Sequence, residues 1–229
     1  MEFFNNSCQP IDVEALMSRL LQRGTMMERF KLPMTKEQAY RLLLAAVKGE
    51  VEYRARIFEF NDAVKFYAET IAEWLTGDSP KFGLLLCGNV GNGKSTFVKA
   101  FQQLLNQLNI RSETYRDYWK IRIVDARSAT YLCKSDYREW EQLCRLPMLA
   151  IDDLGTEPLE IQDYGNVMSP MVDLLTRRYD KQLFTIITTN LMPKEIRPKY
   201  GARIGDRLNE MMVKIQFEND SYRTPENLG

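Results

Sequence analysis

One stretch limits what this chain can become: Gly88-Asn89-Val90-Gly91-Asn92-Gly93-Lys94-Ser95-Thr96 fits the pattern G-x-x-x-x-G-K-[ST]. Glycines let backbone N–H groups turn inward onto a polyphosphate, the lysine reaches the outer phosphates, and the hydroxyl after it ligates Mg²⁺. The flanks agree with that reading. Phe82-Gly83-Leu84-Leu85-Leu86-Cys87 is a short buried-strand pattern, and residues 96–108 place Phe97, Val98, Phe101, Leu104, Leu105 and Leu108 on a helical stripe. A glycine-rich turn matching by accident would have no reason to sit between that strand and that helix. The stretch predicts a phosphate-binding loop in an α/β fold.

Composition sets the outer bounds. The 229 residues suffice for one substantial α/β domain plus a small extra piece, and 45% hydrophobic with 27% charged is ordinary for a soluble globular protein. Lys+Arg and Asp+Glu are both 31, so any nucleic-acid contact must come from a local patch rather than bulk charge. The chain has no histidine, and Cys8, Cys87, Cys133 and Cys144 show no C-x-x-C spacing; they read as buried reduced thiols rather than zinc ligands. No apolar run approaches the roughly 18 residues of a membrane span. The N-terminus lacks the basic and then apolar regions of a signal peptide, so no membrane contact and a cytoplasmic location are expected.

Upstream of the loop, Val13, Leu16, Met17, Leu20 and Leu21 recur at helical spacing before breaks at Gly24 and Pro33, which predicts one amphipathic helix within residues 11–30. Thr35-Lys36-Glu37-Gln38 has the form of a capping box, so a second helix is expected through Ala39, Leu42, Leu43, Ala46 and Val47. Two helices of this length cannot bury their apolar faces unaided. Residues 1–52 therefore read either as an extension that pads the main domain or as a partner-docking module. Asn61-Asp62 caps a third predicted helix with the stripe Val64, Tyr67, Ala68, Ile71 and Leu75, which Gly77 is placed to end. Residues 53–60, just ahead of it, are candidates to lie near a base or ribose.

Downstream, residues 121–126 alternate as a half-buried strand, Ser128 is expected to cap a helix through Ala129, Tyr131 and Leu132, and residues 137–143 extend the helical excursion. Pro147-Met148-Leu149-Ala150-Ile151-Asp152-Asp153 is an apolar strand ending in two carboxylates. Asp152 is suited to hold Mg²⁺, and Asp153 to orient and deprotonate an attacking water. Alone, such a pair is as easily a surface turn; roughly 60 residues after a phosphate loop it has the form of a Walker B element. Met171, Val172, Leu174, Leu175 and Tyr179 mark another helix, with Ser169 and Pro170 either opening it or kinking it. Phe184-Thr185-Ile186-Ile187-Thr188-Thr189-Asn190 is a β-branched strand whose last residue either contacts water and phosphate or simply turns the chain. After a short helix over residues 194–200 and a turn at Gly201, Arg203 and Arg207 stand on one helical face. They form either an ion-paired surface or an arginine finger reaching a neighbouring subunit's phosphates. Val213-Lys214-Ile215-Gln216-Phe217 alternates as a last strand, and residues 224–229 read as a tail.

Taken together, residues 53–223 resemble the AAA+ ATPases of the DnaC type, the bacterial helicase loaders, and the closely similar IstB transposition helper ATPases. Five segments carry the resemblance, in the family's order: Phe82-Gly83-Leu84-Leu85-Leu86-Cys87-Gly88-Asn89-Val90-Gly91-Asn92-Gly93-Lys94-Ser95, Ile151-Asp152-Asp153-Leu154-Gly155, Ile187-Thr188-Thr189-Asn190, Gly201-Ala202-Arg203-Ile204-Gly205-Asp206-Arg207-Leu208 and Asp220-Ser221-Tyr222-Arg223. The resemblance implies a P-loop NTPase of AAA+ type: a parallel five-stranded sheet in AAA+ order, helices on both faces, and a small helical region over residues 1–52. It implies Lys94 and Ser95 as Walker A, Asp152 and Asp153 as Walker B, Asn190 as sensor 1, Arg207 as the arginine finger and Arg223 as a sensor 2 candidate. The second acid is Asp153 where many AAA+ proteins carry glutamate, one methylene longer, which implies slow hydrolysis. Only a short tail follows the last strand, so no C-terminal lid domain is expected.

The implied ligands are ATP and Mg²⁺, held by Gly88, Asn89, Val90, Gly91, Asn92, Gly93, Lys94, Ser95, Thr96 and Arg223, with Ser95 and Asp152 as the metal ligands. The implied partners are a replicative helicase or, for the IstB-like alternative, a transposase, together with single-stranded DNA and further copies of the chain in an ATP-dependent homo-oligomer with shared sites. For single-stranded DNA, residues 128–144 offer Tyr131, Tyr137 and Trp140 as stacking faces and Lys134 and Arg138 as cations. For any one of these aromatics, packing a helix against the sheet is the more ordinary role. Two rivals from other classes remain: a nucleotide-gated binding module that hydrolyses little, and a small-molecule kinase. The kinase leaves Asn190 and the Arg203/Arg207 helix without a joint explanation.

Overall fold

A computed structural model describes residues 11–22, 29–163 and 165–222. Its first helix, α1 (Val13–Leu21), is capped by Asp12, whose carboxylate accepts from the Ala15 N–H at 3.0 Å. The predicted stripe of Val13, Leu16, Met17, Leu20 and Leu21 is exposed along its whole length. Gly24, the predicted stop, lies outside the described residues. In α2 (Lys36–Glu52) the capping box is complete, with the Gln38 N–H donating to Thr35 Oγ1 and the Thr35 N–H donating to Gln38 Oε1. Unlike α1, this helix buries Ala39, Leu43 and Val47 in the main core. α3 (Asp62–Thr76) begins at its Asn61 cap, ends at Gly77 and buries all five residues of its predicted stripe.

The chain then runs through β1 (Gly83–Gly88), α4 (Lys94–Leu108), β2 (Arg122–Asp125), α5 (Ala126–Ser135), α6 (Tyr137–Arg145) and β3 (Met148–Leu154). An antiparallel hairpin follows, β4 (Ile161–Asp163) with β5 (Asn166–Met168), which no sequence pattern announces. The remainder is α7 (Pro170–Asp180), β6 (Phe184–Thr189), α8 (Pro193–Tyr200), α9 (Ala202–Met211) and β7 (Met212–Phe217). One expected cap is corrected. Asp125, not Ser128, caps α5: its carboxylate accepts from both the N–H and the hydroxyl of Ser128, because β2 ends at Asp125 and the helix begins at the very next residue. Ser169 and Pro170 open α7 rather than kinking a longer helix.

Five strands form one parallel sheet in the order β2-β3-β6-β1-β7. Because successive side chains leave a strand on opposite faces, the sheet divides the core in two. Leu84, Leu86, Ala150, Ile186 and Ile215 belong to a cluster with Leu43, Ile71, Phe97 and Phe101 of α2, α3 and α4. Leu85, Leu149, Ile151 and Ile187 belong to a second cluster with Ala129, Leu143, Leu174 and Leu208 of α5, α6, α7 and α9. Arg178, in the last turn of α7, is fully buried against the start of β6, where its guanidinium donates to Thr185 Oγ1, Leu146 O and Phe184 O. Those acceptors make its burial tolerable and tie the end of α6 to β6. With β1, β3 and β6 adjacent and parallel, their C-terminal ends open side by side, which is where open α/β sheets place their ligands. Among the described residues, no helix is long and apolar enough to cross a membrane.

Candidate nucleotide-binding site

The loop between β1 and α4 is shaped by two glycines. A Cβ on Gly88 would stand 2.2 Å from the Phe217 carbonyl oxygen, so only glycine lets β1 lie that close to the end of β7. Gly93, at φ 99°, is the cap residue of α4 and supplies no side-chain hydrogen bond to it. The first-turn amides of α4 therefore point into the loop without a side-chain cap, which is the arrangement that binds phosphate.

Lys94 is 5% exposed. Its ammonium donates to Gly88 O at 2.8 Å, Asn89 O at 2.7 Å, Asn92 Oδ1 at 3.0 Å and Asn190 Oδ1 at 3.0 Å. Asn92 in turn donates to Phe217 O at 2.8 Å, fixing the loop on β7. The Ser95 hydroxyl donates to Asp152 Oδ1 at 2.7 Å, and the Thr188 hydroxyl donates to the same oxygen at 2.6 Å. Thr188 Oγ1 also accepts from the Asp153 N–H at 2.9 Å. One hydroxyl thus aligns both carboxylate residues. Asp153 itself has φ 55°, rare for a residue with a Cβ, beside the register shift that interrupts the pairing of β3 with β6.

Lys94, Ser95, Asp152, Asp153 and Asn190 line one cavity of about 490 Å³, together with Val90, Gly91, Asn92, Gly93 and Thr96. The hydroxyl and carboxylate of Ser95 and Asp152 form an all-oxygen pair of the kind Mg²⁺ takes beside a phosphate. Residues that the sequence pattern did not assign to the site complete the wall: Val47 and Val51 of α2, Val64 of α3, Phe97 and Lys99 of α4, and Tyr222. Arg54 and residues 56–59 are there too, within the stretch expected near a base or ribose. The Tyr222 N–H donates to Gly91 O at 3.0 Å, and its phenol, raised by burial, hydrogen-bonds with Asn61. Burial likewise raises the Cys87 thiol beneath the loop. Neither Thr188 nor Tyr222 carried a local signal of these contacts, although both stand within motif segments quoted above.

Other candidates lie elsewhere. Arg207 is outside the cavity; it donates to Thr176 Oγ1 at 2.7 Å and Asp180 Oδ1 at 3.2 Å and covers the Tyr179 ring, its carbon 4.9 Å from the centroid. Arg203, one turn earlier on α9, is exposed. Arg223 lies outside the described residues. In the excursion, Tyr131, Lys134, Tyr137 and Arg138 are exposed. Trp140 is not available for stacking with a base: it is 1% exposed, closed over by Tyr137 and by Arg177. The apolar stripe of α6 has to face the sheet, and Trp140 is on it.

No protein-family model and no curated protein sequence matches this chain. Solved structures do. The DnaC helicase loader is 19% identical over 70% of this chain and 93% of its own, with a TM-score of 0.53. DnaI is 20% identical over 85% of this chain and 96% of its own, with a TM-score of 0.57. The fold is that of the DnaC helicase loader and DnaI structures. The likeness extends to AMPPCP-bound DnaA from Aquifex aeolicus, 16% identical over 71% of this chain but only 49% of DnaA, with a TM-score of 0.52. In this fold the phosphate loop, the two aspartates and the strand-end asparagine fall at the C-terminal ends of the three adjacent strands β1, β3 and β6.

Proposed function

We propose that this chain binds ATP with Mg²⁺, hydrolyses it, and uses the cycle in DNA replication to load or remodel a replicative helicase on single-stranded DNA. The observation that carries the reading is the convergence of Lys94, Ser95, Asp152, Asp153 and Asn190 from three strand ends on one cavity. Water attacks the γ-phosphate in line. Lys94 leaves its loop carbonyls to neutralise the outer phosphate oxygens, Asn190 holds the water or the γ-phosphate, and Asp153 orients the water and takes its proton. Ser95 and Asp152 hold Mg²⁺, which when bound supplies charge neutralisation across the phosphates. Arg207 completes the site of a neighbouring copy in a homo-oligomer that ATP assembles. Support for the replication role comes from the DnaC and DnaI likenesses, and for nucleotide binding from AMPPCP-bound DnaA.

Residues 1–52 fit a docking role through α1, whose apolar side chains are exposed, and the exposed Tyr131, Lys134, Tyr137 and Arg138 fit a sequence-tolerant contact with single-stranded DNA in the cytoplasm. A second reading, a nucleotide-gated binding module with little hydrolysis, is favoured by the intramolecular partners of Arg207. Steady-state ATP turnover with and without single-stranded DNA separates the two, and turnover insensitive to Asp153→Asn would remove Asp153 from the mechanism. Affinity capture that recovers a transposase and no helicase would replace the loader role with an IstB-like one.

A further inference from the structure

The turn that follows Asp153 contains a buried carboxylate with no role in the chemistry above. Glu157 is 3% exposed, and its side chain reaches back to accept from the Gly155 N–H at 2.9 Å. Its other oxygen accepts from the hydroxyl of Tyr200, the last residue of α8, itself 5% exposed. Lys199 donates to the carbonyls of Gly155 and Glu157, so two consecutive residues of α8 grip the same turn. At the turn's other end, Asp153 O accepts from both the N–H and the hydroxyl of Thr156. Gly155, Thr156 and Glu157 thus connect the left-handed Asp153 to Lys199 and Tyr200 at the end of α8.

α8 and α9 in turn behave as one piece. Gly201 ends α8 and opens α9, and Gly205 packs so closely on Arg197 that a Cβ there would stand 2.4 Å from Arg197 Cγ. Arg197 also pairs with Asp206. The piece that grips the Asp153 turn is therefore the piece that carries Arg203 and Arg207.

We propose that Glu157 and Tyr200 are positioning residues for Asp153, and that through them the α8–α9 arm sets the hydrolytic competence of its own subunit. A left-handed aspartate persists only where its surroundings over-determine it. The buried Glu157–Tyr200 hydrogen bond supplies that constraint from an element that a neighbouring copy would contact. The inference rests on the proposed role of Asp153 in orienting water.

Tyr200→Phe tests it, since the substitution removes one hydroxyl and leaves the ring packing in place; Glu157→Gln is the companion variant. Amide hydrogen exchange is followed at residues 153–157 and 88–96 in the full chain. Exchange at 153–157 is expected to rise about tenfold in Tyr200→Phe, with 88–96 unchanged. ATP turnover at saturating ATP should fall about tenfold while affinity for a non-hydrolysable ATP analogue stays within about twofold, and the double variant should be little worse than either single one. Unchanged exchange at 153–157, or a rise spread over the whole domain, overturns the positioning role. A wild-type chain without turnover overturns the hydrolysis reading instead, and the exchange result still decides whether Glu157 and Tyr200 hold the turn.

Discussion

Lys94 and Arg207 are both mostly sequestered cations proposed to act on the same phosphate chain, yet they are held in opposite ways. Lys94 donates to oxygens of its own loop and of Asn190, so it already stands inside the cavity and has only to exchange loop carbonyls for phosphate oxygens. Arg207 is held by Thr176, Tyr179 and Asp180 on α7, away from the cavity, with its side chain 13% exposed. A preassembled phosphate half and a parked arginine half are what a site shared between subunits requires: the first must bind nucleotide alone, and the second must be useless until a neighbour arrives. Asp180, at 54% side-chain exposure, is a weak enough partner to be left at little cost.

The sharpest way to break this contrast is Arg207→Ala. At concentrations where the wild-type chain is assembled, turnover should drop about a thousandfold with affinity for a non-hydrolysable ATP analogue unchanged. If affinity falls in parallel, Arg207 serves its own subunit's structure. Lys94→Ala should act on the other half, weakening analogue binding roughly a hundredfold in a fluorescence titration, because charge-assisted contacts to phosphate are lost. A smaller effect is expected from Asp180→Ala: freeing Arg207 should raise turnover by at most about threefold and change unfolding free energy by less than about 1 kcal/mol.

The smallest concerns the core under α7. Burial pushes the Cys144 thiol up to about 11 from the ordinary 9.0. The unfolded thiol ionises first, so this contribution to stability is whole below pH 9 and is lost as pH rises through 11. Replacing Cys144 with alanine should flatten the fall in Tm over that window by about 3 °C or less.

How much of this was legible depends on the reach of each interaction. The P-loop, the capping box at Thr35 and the stripe of α3 are local patterns, each written within a few helical turns of sequence, and the structure places them as the pattern implies. The strand-end positions of Asp152, Asp153 and Asn190 followed from strand periodicity plus the order of the motifs. What stayed hidden has partners far along the chain. Thr188 meets Asp152 and Asp153 from another strand, Glu157 meets Tyr200 across the intervening hairpin, α7 and β6, and Val47 and Val51 reach the cavity from α2. A threonine in a β-branched strand or a glutamate after a turn looks the same whether or not such a partner exists. The hairpin β4–β5 escaped because strands of three residues are too short for period-2 alternation to register. The cap at Ser128 was misplaced by a strand end one residue off, and Trp140 shows that an aromatic beside cations can belong wholly to the core.

The central claim is that Lys94 and Arg207 act in different copies of the chain on one ATP. Mixing the Lys94→Ala and Arg207→Ala chains, each expected to be inactive alone, tests it directly by ATP turnover. The account predicts recovery to roughly a quarter of the wild-type rate, as random assembly pairs an intact loop from one chain with an intact arginine from the other. A mixture as inactive as its two components, at a concentration where the wild-type chain turns over ATP, would contradict it.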